Sequence, residues 1–393
     1  MHHVMHTTLV LTHDCNLACT YCYTGAKERR VMPDDVATAG IDLAFQGSGP
    51  VDLGFFGGEP LLRYEQLVAI AHAARARAER EGREITLSVT TNGTLLTRER
   101  VEVLRELGVR ITLSIDGNRQ AHDATRPTRN GRSSFDATVR GARALLDAGL
   151  PLEVIAVVAP ANVRHLGETV RFLSELGARQ IVLNPCFEEA WSDDDLAAWE
   201  RGMRDAAQVY AANMRAGRTI AMPTFDNKIL AAAKGGLSAC DTCSAGEREI
   251  AVAPSGNLYP CARLVNEDRD TRWVIGDVKG GVVKRAVESI PRGPSDSACD
   301  TCAERWRCGA SCMCANLAET NTPNVPGGVQ CWYEQTSAAI ADEIGHVLLE
   351  ERCAAFLAWT YGRVAAAASE ASREEKPSAV RRVRRLPVLR GAA

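Results

Sequence analysis

Three cysteines fall within eight residues, Cys15-Asn16-Leu17-Ala18-Cys19-Thr20-Tyr21-Cys22, directly after the apolar run Leu9-Val10-Leu11. A loop closing at a strand's end can bring three thiolates to one centre, but it has no fourth ligand of its own. Three sulfurs suit a 4Fe–4S cluster with one iron left open, since such clusters normally take four Cys. A closed structural zinc site wants a fourth protein ligand. An open iron is a place for a cofactor or substrate to coordinate, so the spacing points to chemistry rather than bracing.

Around this loop, β-branched and apolar runs alternate with helical patterns. The expected strands are Thr8–Thr12, Asp52–Phe56, Ile85–Thr91, Arg110–Ile115, Leu152–Val158 and Gln180–Asn184. The expected helices are Asp34–Gln46, Tyr64–Glu81, Thr97–Leu107, Phe135–Ala148 and Val163–Leu176. A sixth, Ser192–Arg215, opens with Asp193, Asp194 and Asp195, which suit a helix N-terminus. Strands followed by helices predict βα units around a parallel sheet. Six units are too few for a closed eight-fold barrel.

Motifs stand after several of these strands. Gly57-Gly58-Glu59-Pro60 follows the second; neither glycine has a Cβ to hold a ligand away from the backbone. Thr91-Asn92-Gly93-Thr94 ends the third strand; Asn-Gly alone is an ordinary turn pair. Ser114-Ile115-Asp116-Gly117 ends the fourth, with His122, Asp123, Arg126, Pro127 and Gly131 beyond it.

With the cysteine spacing, Tyr21 before the last Cys, and the Gly-Gly-Glu-Pro turn, the chain resembles a radical S-adenosylmethionine (SAM) enzyme. The resemblance implies a partial (β/α)6 TIM-like barrel rather than a doubly wound sheet. It also implies that an open iron binds the amino and carboxylate groups of SAM, and that reduction splits SAM into methionine and a 5′-deoxyadenosyl radical. By the same resemblance Cys15, Cys19 and Cys22 hold that cluster. Gly57, Gly58, Glu59 and Pro60 meet the SAM amino group, with Asn92 at the same rim. Ser114 and Arg126 face the ribose and carboxylate; an Arg fork suits a carboxylate because it bonds both oxygens. Asp116, His122 and, after the sixth strand, Cys186 are candidates for a catalytic role, with structural roles open for each.

The composition changes in the second half. Nine cysteines lie between Cys240 and Cys331, among turn residues and few long apolar runs. A region so poor in core formers needs staples, and bound metal supplies folding energy directly. Cys243 is followed by Gly256 and Cys261, then by Cys299-x-x-Cys302, Cys308, Cys312 and Cys331. This order is similar to the SPASM domain of peptide-modifying radical SAM enzymes. The resemblance assigns Cys240, Cys243, Cys261 and Cys312 to one auxiliary 4Fe–4S cluster, and Cys299, Cys302, Cys308 and Cys331 to a second. Two structural zinc ribbons are the other reading of the same spacing. Cys186, Cys314 and Cys353 are left over: Cys314 stands where it can exchange roles with Cys312, and Cys353 is expected to pack within a late helix.

The expected division is a radical SAM partial barrel over 1–190, a helical bridge over 191–235, a small α+β SPASM domain over 236–345, and a C-terminal helix and basic tail over 346–393. The stretch Thr336 to Ala368 reads as helical, and the tail carries Arg381, Arg382, Arg384, Arg385 and Arg390. Such a run is usually a solvated end; the other reading is attraction of an acidic leader peptide.

The formal charge of −3 over 393 residues is not that of a general nucleic-acid binder. No long apolar run or secretion signal is read, so a cytoplasmic protein with no membrane partner is expected. Fourteen cysteines without that signal favour metal ligation over a disulfide framework.

The resemblance implies a peptide maturase. The radical abstracts hydrogen from a ribosomally made precursor peptide, and a carbon–carbon or carbon–sulfur crosslink follows. The implied cofactors are SAM and three 4Fe–4S clusters, with a flavodoxin- or ferredoxin-type reductant. Only fourteen residues precede Cys15, so leader recognition is expected to fall to a separate protein or to the SPASM region and tail. The alternative is an anaerobic sulfatase-maturating enzyme. Those carry an Asp after the cysteine matching Cys261, where this chain has Ala262 and then Arg263. A non-catalytic iron–sulfur electron carrier would leave Gly57–Pro60 and Ser114–Arg126 idle.

Overall fold

The computed structural model describes residues 5–25, 27–238, 241–295, 297–310 and 312–374, with side chains described to residue 366. Cys240 and the basic tail lie outside the described residues.

Six parallel strands form the centre: β1 (His6–Thr12), β2 (Val51–Gly57), β3 (Ile85–Thr91), β4 (Val109–Ser114), β5 (Leu152–Val158) and β6 (Ala178–Pro185). They lie side by side in chain order. A doubly wound sheet reverses its order at a switch point; this one never does, as a partial barrel requires. β1 reads as a nearly continuous apolar and Thr run because all but its first residue is buried. β5 alternates buried and half-buried positions, the period of two that one packed face demands.

The helices between them are α1 (Asp34–Ala44), α2 (Tyr64–Glu81), α3 (Arg98–Glu106), α4 (Arg119–Thr125), α5 (Phe135–Asp147) and α6 (Leu166–Leu176). The expected helix from Val163 begins with a tight 3-10 turn, Val163–His165, before α6. α7 (Asp193–Arg215) starts on a reciprocal cap: the Ser192 side chain accepts from Asp195 N–H while the Asp195 carboxylate accepts from Ser192 N–H.

The second half does not stand apart from this sheet. After α8 (Pro223–Lys234) comes β7 (Glu249–Val252), which pairs parallel with β1, His6 opposite Glu249 and Leu9 opposite Val252. β8 (Asn257–Tyr259), β9 (Gly276–Asp277) and β10 (Gly281–Val282) continue antiparallel from it. Short helices α9 (Lys284–Glu288), α10 (Ser297–Asp300) and α11 (Met313–Thr320) follow, and the cysteine-rich turns lie on and between the last two.

The expected single late helix is two, α12 (Gly328–Glu350) and α13 (Ala354–Glu374), both packed on α7 and α8. Arg352 takes a left-handed φ of 49° at the break, and Cys353 N–H returns to Leu348 O at 3.0 Å. Cys353 therefore sits in a turn rather than inside a helix. Among the described residues, no helix is long and apolar enough to cross a membrane.

Candidate active site

The loops after β1 and β2 meet through their backbones. Gly58 N–H donates to Thr12 O and Glu59 N–H to Asp14 O, both at 2.8 Å. A Cβ on Gly57 would stand 2.4 Å from Thr12 O, and one on Gly58 2.1 Å from Asp14 O. Gly57 also holds φ 138°, which side chains rarely adopt. Only glycine permits this seam, and the seam sets the cysteine loop in place.

Other strand-end loops tie the cysteine loop down. Ala18 N–H donates to Pro127 O at 2.8 Å and Thr20 N–H to Thr125 O at 2.9 Å. Asn16 donates to Thr94 Oγ1 at 2.7 Å and accepts from Asn92 Nδ2 at 2.9 Å. Arg129 pairs with Asp14.

The result is a cavity of about 240 Å³ with Cys15, Cys19 and Cys22 on one wall. Gly57, Gly58, Asn92, Ser114 and Arg126 also line it, as does Cys186. Donors surround the sulfurs. Leu17 N–H lies 3.4 Å from Cys15 Sγ and Asn92 Nδ2 3.8 Å from it, while Lys27 Nζ stands 2.6 Å from Cys22 Sγ. Burial pushes the Cys15 thiol up to about 11 and raises Cys19. Burial opposes ionising Cys22 as well, but the charge and hydrogen bond of Lys27 outweigh it and bring that thiol down. Three soft donors on one wall, two of them held by N–H groups, fit the three protein ligands of an iron–sulfur cluster. Among the described residues no three His, Cys, Asp or Glu side chains meet closely enough to hold a single metal ion.

Four of the candidates stand behind the wall. Glu59 is fully buried and accepts from Leu61 N–H (2.9 Å), Thr91 Oγ1 (2.7 Å) and Asn92 N–H (2.8 Å), so it joins the β2 and β3 loops. Pro60 starts the short 3-10 turn Pro60–Arg63. Asp116 accepts from Tyr21 Oη and Thr125 Oγ1 at 2.7 Å and from Val157 N–H at 3.0 Å, with Arg126 beside it at 3.5 Å. His122 is buried, and burial first, then the charges of Arg126 and Arg119, depress it to about 3. Arg126 does face the cavity, and its Nε has no hydrogen-bond partner among the described residues. An unpartnered guanidinium nitrogen at 6 % exposure is built for an anion.

Four further wall residues went unremarked as site residues in the sequence reading: Tyr23, Lys27, Glu188 and Arg263. The Arg263 guanidinium sits 5.0 Å from the Tyr23 ring centroid and pairs with Glu188. Cys186 Sγ lies 3.5 Å from Glu188 Oε2, and burial and that carboxylate push its thiol up to about 12. Lys27, close behind the cysteine run, carried a local signal. Glu188 and Arg263 lie 75 residues apart and carried none.

Arg263 brings the second half to this cavity. Its segment is fastened to the chain beyond Cys22: Arg30 Nη1 donates to Asp268 O at 3.1 Å, and Arg269 pairs with Glu28. Nearby, the Cys314 thiol is hydrogen-bonded to Cys261 and Cys312, and Cys243 feels the charges of both. Those bonds push Cys314 up and bring Cys312 down. Cys314, left over in the sequence reading, belongs to this group. Cys299, Cys302, Cys308 and Cys331 share the wall of a separate cavity of about 730 Å³, which Cys243 also touches. Behind Cys308, Glu334 accepts from Gly309 N–H at 2.6 Å and pairs with buried Lys228.

Comparison with known proteins agrees with this geometry. The radical SAM superfamily profile matches residues 9–173. A serine-type anaerobic sulfatase-maturating enzyme of Klebsiella aerogenes is 26% identical over 350 residues, 83% of each chain. The structure of native anSMEcpe with bound AdoMet and Cp18Cys peptide superposes with a TM-score of 0.73 at 18% identity, covering 88% of this chain and 99% of that one. Streptococcus suis SuiB bound to its precursor peptide SuiA follows at 0.58 and 17%, covering 83% and 75%. Cys15, Cys19 and Cys22 lie inside the matched segment: this chain is an enzyme that carries a radical SAM domain, and it shares its fold with those two structures.

Proposed function

We propose that this enzyme is a peptide maturase that abstracts a hydrogen atom from a ribosomally made precursor peptide and so forms a carbon–carbon or carbon–sulfur crosslink. The observation that carries the reading is the shared wall, on which the three-cysteine loop and Arg263, two residues beyond Cys261, line one cavity. SAM and a 4Fe–4S cluster, when bound, supply the 5′-deoxyadenosyl radical. The chain's own residues position and exclude. Arg126 offers its free Nε to a carboxylate, Gly57 and Gly58 admit a ligand to the backbone, and Lys27 eases ionisation of the Cys22 thiol against the burial that opposes it. The second half would then hold two auxiliary 4Fe–4S clusters, which would supply an electron acceptor when bound. Cys243, Cys261 and Cys312, with Cys240 or Cys314, hold the first. Cys299, Cys302, Cys308 and Cys331 hold the second. The reductant is of the flavodoxin or ferredoxin type, leader recognition falls to a separate protein or to the cysteine-rich region and tail, and the setting is cytoplasmic.

A second reading, anaerobic sulfatase maturation, draws support from the Klebsiella relative, which is similar over most of the chain. Ala262 after Cys261 weighs against it.

The test is anaerobic. Reconstituted protein is assayed for iron, reduced, and given SAM with the peptide encoded beside its gene or, separately, with a sulfatase peptide. About twelve irons per chain, four for each cluster, with 5′-deoxyadenosine and a peptide lighter by two hydrogens, is the expected result. Conversion of the sulfatase peptide alone would favour the second reading. About four irons with SAM cleavage would remove the auxiliary clusters, and no cleavage at any iron content would defeat both readings.

A further inference from the structure

We propose that Glu188 is the catalytic base that takes the proton released when the substrate radical is oxidised. This rests on the maturase reading above and adds the residue it lacks.

The argument begins with what the cavity offers. Among the described residues on its wall, Glu188 is the one carboxylate, and there is no histidine. Arg126, Arg263 and Lys27 are cations, with no site for a further proton. Tyr21 and Tyr23 are phenols that burial keeps un-ionised. Glu59 and Asp116 lie behind the wall with their oxygens already accepting hydrogen bonds. Glu188 is held differently. Arg263 pairs with Oε1, while among the described residues Oε2 has only the Cys186 thiol at 3.5 Å, a weak donor that a substrate proton can displace. The Glu188 side chain is 33% exposed, which gives the proton a way out to water.

The step balances. The 5′-deoxyadenosyl radical takes one hydrogen atom from the substrate carbon and leaves as 5′-deoxyadenosine. For a carbon–sulfur link, the carbon radical bonds to a thiol sulfur as the S–H bond breaks. That proton goes to Glu188 Oε2, and one electron goes to an oxidised auxiliary iron–sulfur cluster at the Cys261 group. If the carbon radical instead bears its own hydroxyl or thiol, a carbon–oxygen or carbon–sulfur double bond forms while the same proton and electron leave by the same routes. Arg263 holds the base two residues from Cys261, so proton and electron depart on one side of the cavity.

Two readouts test this. In the reconstituted enzyme without SAM or peptide, where the thiolate is the form that reacts, iodoacetamide labelling of Cys186 is followed by peptide mass spectrometry at pH 9. Burial, Glu188 and Glu189 hold this thiol protonated. Glu188→Gln removes one negative charge and is expected to raise the labelling rate several-fold; an unchanged rate would mean that the carboxylate does not face this wall, and the proposal would fall. In the loaded enzyme with SAM and the neighbouring-gene peptide, Glu188→Gln is expected to keep 5′-deoxyadenosine formation within about twofold and to lose product by about 100-fold, the scale of general-base catalysis. Glu188→Asp should recover part of it, and formate should rescue Glu188→Ala, which a purely structural role would not allow. Product at the native rate from Glu188→Gln overturns the proposal. Failure of the maturase reading has a different signature, a native enzyme that cleaves SAM yet converts no peptide.

Discussion

His122 gives the chain an acid sensitivity whose size follows from its surroundings. The ring is fully buried on α4, edge-on to Phe135 with centroids 5.8 Å apart. Its Nδ1 faces Asp116 N–H at 3.4 Å, and its Nε2 lies 2.9 Å from Ser134 Oγ. The Ser134 hydroxyl donates to Arg126 O at 2.6 Å, so Nε2 must be the donor in the other bond and the ring is neutral. A second proton would go on Nδ1, against another N–H. Burial, then the charges of Arg126 and Arg119, lower its pKa from 6.5 to about 3.

Between those two values the unfolded chain binds a proton that the folded chain refuses. Stability therefore falls as pH drops through 6.5, and the loss levels off near 3. At pH 5 the single-site linkage is about 2 kcal/mol, a sizeable part of the roughly 5–15 kcal/mol a domain usually has. His122→Gln keeps an acceptor and a donor but cannot titrate. Urea denaturation of cluster-free protein at pH 7.5 and pH 5.0 should show native protein losing about 2 kcal/mol more than His122→Gln over that interval. Parallel losses would refute the reasoning, because other acid-sensitive groups are common to both.

Three further outcomes are expected. Gly58→Ala should part the β1 and β2 loops, since its Cβ would meet Asp14 O at 2.1 Å; SAM binding should fall while far-ultraviolet circular dichroism stays native. Lys228→Met leaves the Glu334 carboxylate buried without its cation and should cost about 3–5 kcal/mol, read as a lower urea midpoint, with part recovered in Lys228→Met/Glu334→Leu. Replacing Cys15, Cys19 and Cys22 together by Ala should abolish 5′-deoxyadenosine formation while iron remains bound in the second half; iron content and cleavage assayed on one sample check both.

The sequence carried the barrel well because its signals are local. Ile85–Thr91, Leu152–Val158 and Tyr64–Glu81 have the expected bounds: period and flanking turns mark them without help from the rest of the fold. Strand β7 escaped because four residues are too few for a period to declare itself, and its partner β1 lies some 240 positions away. The break before Cys353 was hidden by an Ala-rich pattern that runs helical on both sides of Arg352. The motifs were legible as positions but not as orientations. Ser114 and Arg126 reach the cavity, whereas Asp116 and His122, from the same run, turn inward to hold the segment together. Nothing in the order of residues says which side of a strand-end loop faces a ligand.

That difference bears on what the second half does. Read from spacing, the cysteine-rich region is an appended unit, and its influence on the chemistry is a matter of distance. In the fold its strand β7 is laid against β1, the strand that leads into Cys15, and the segment after Cys261 is tied back to Arg30 and Glu28. Ala262 stands directly after Cys261, and the next residue, Arg263, reaches the cavity and holds Glu188 from the far edge of the barrel. A base supplied by the loop after β6 and a cation supplied by the cysteine-rich region must be brought together by folding. A change that loosens β7 from β1 should therefore uncouple SAM cleavage from product formation even with every cysteine intact.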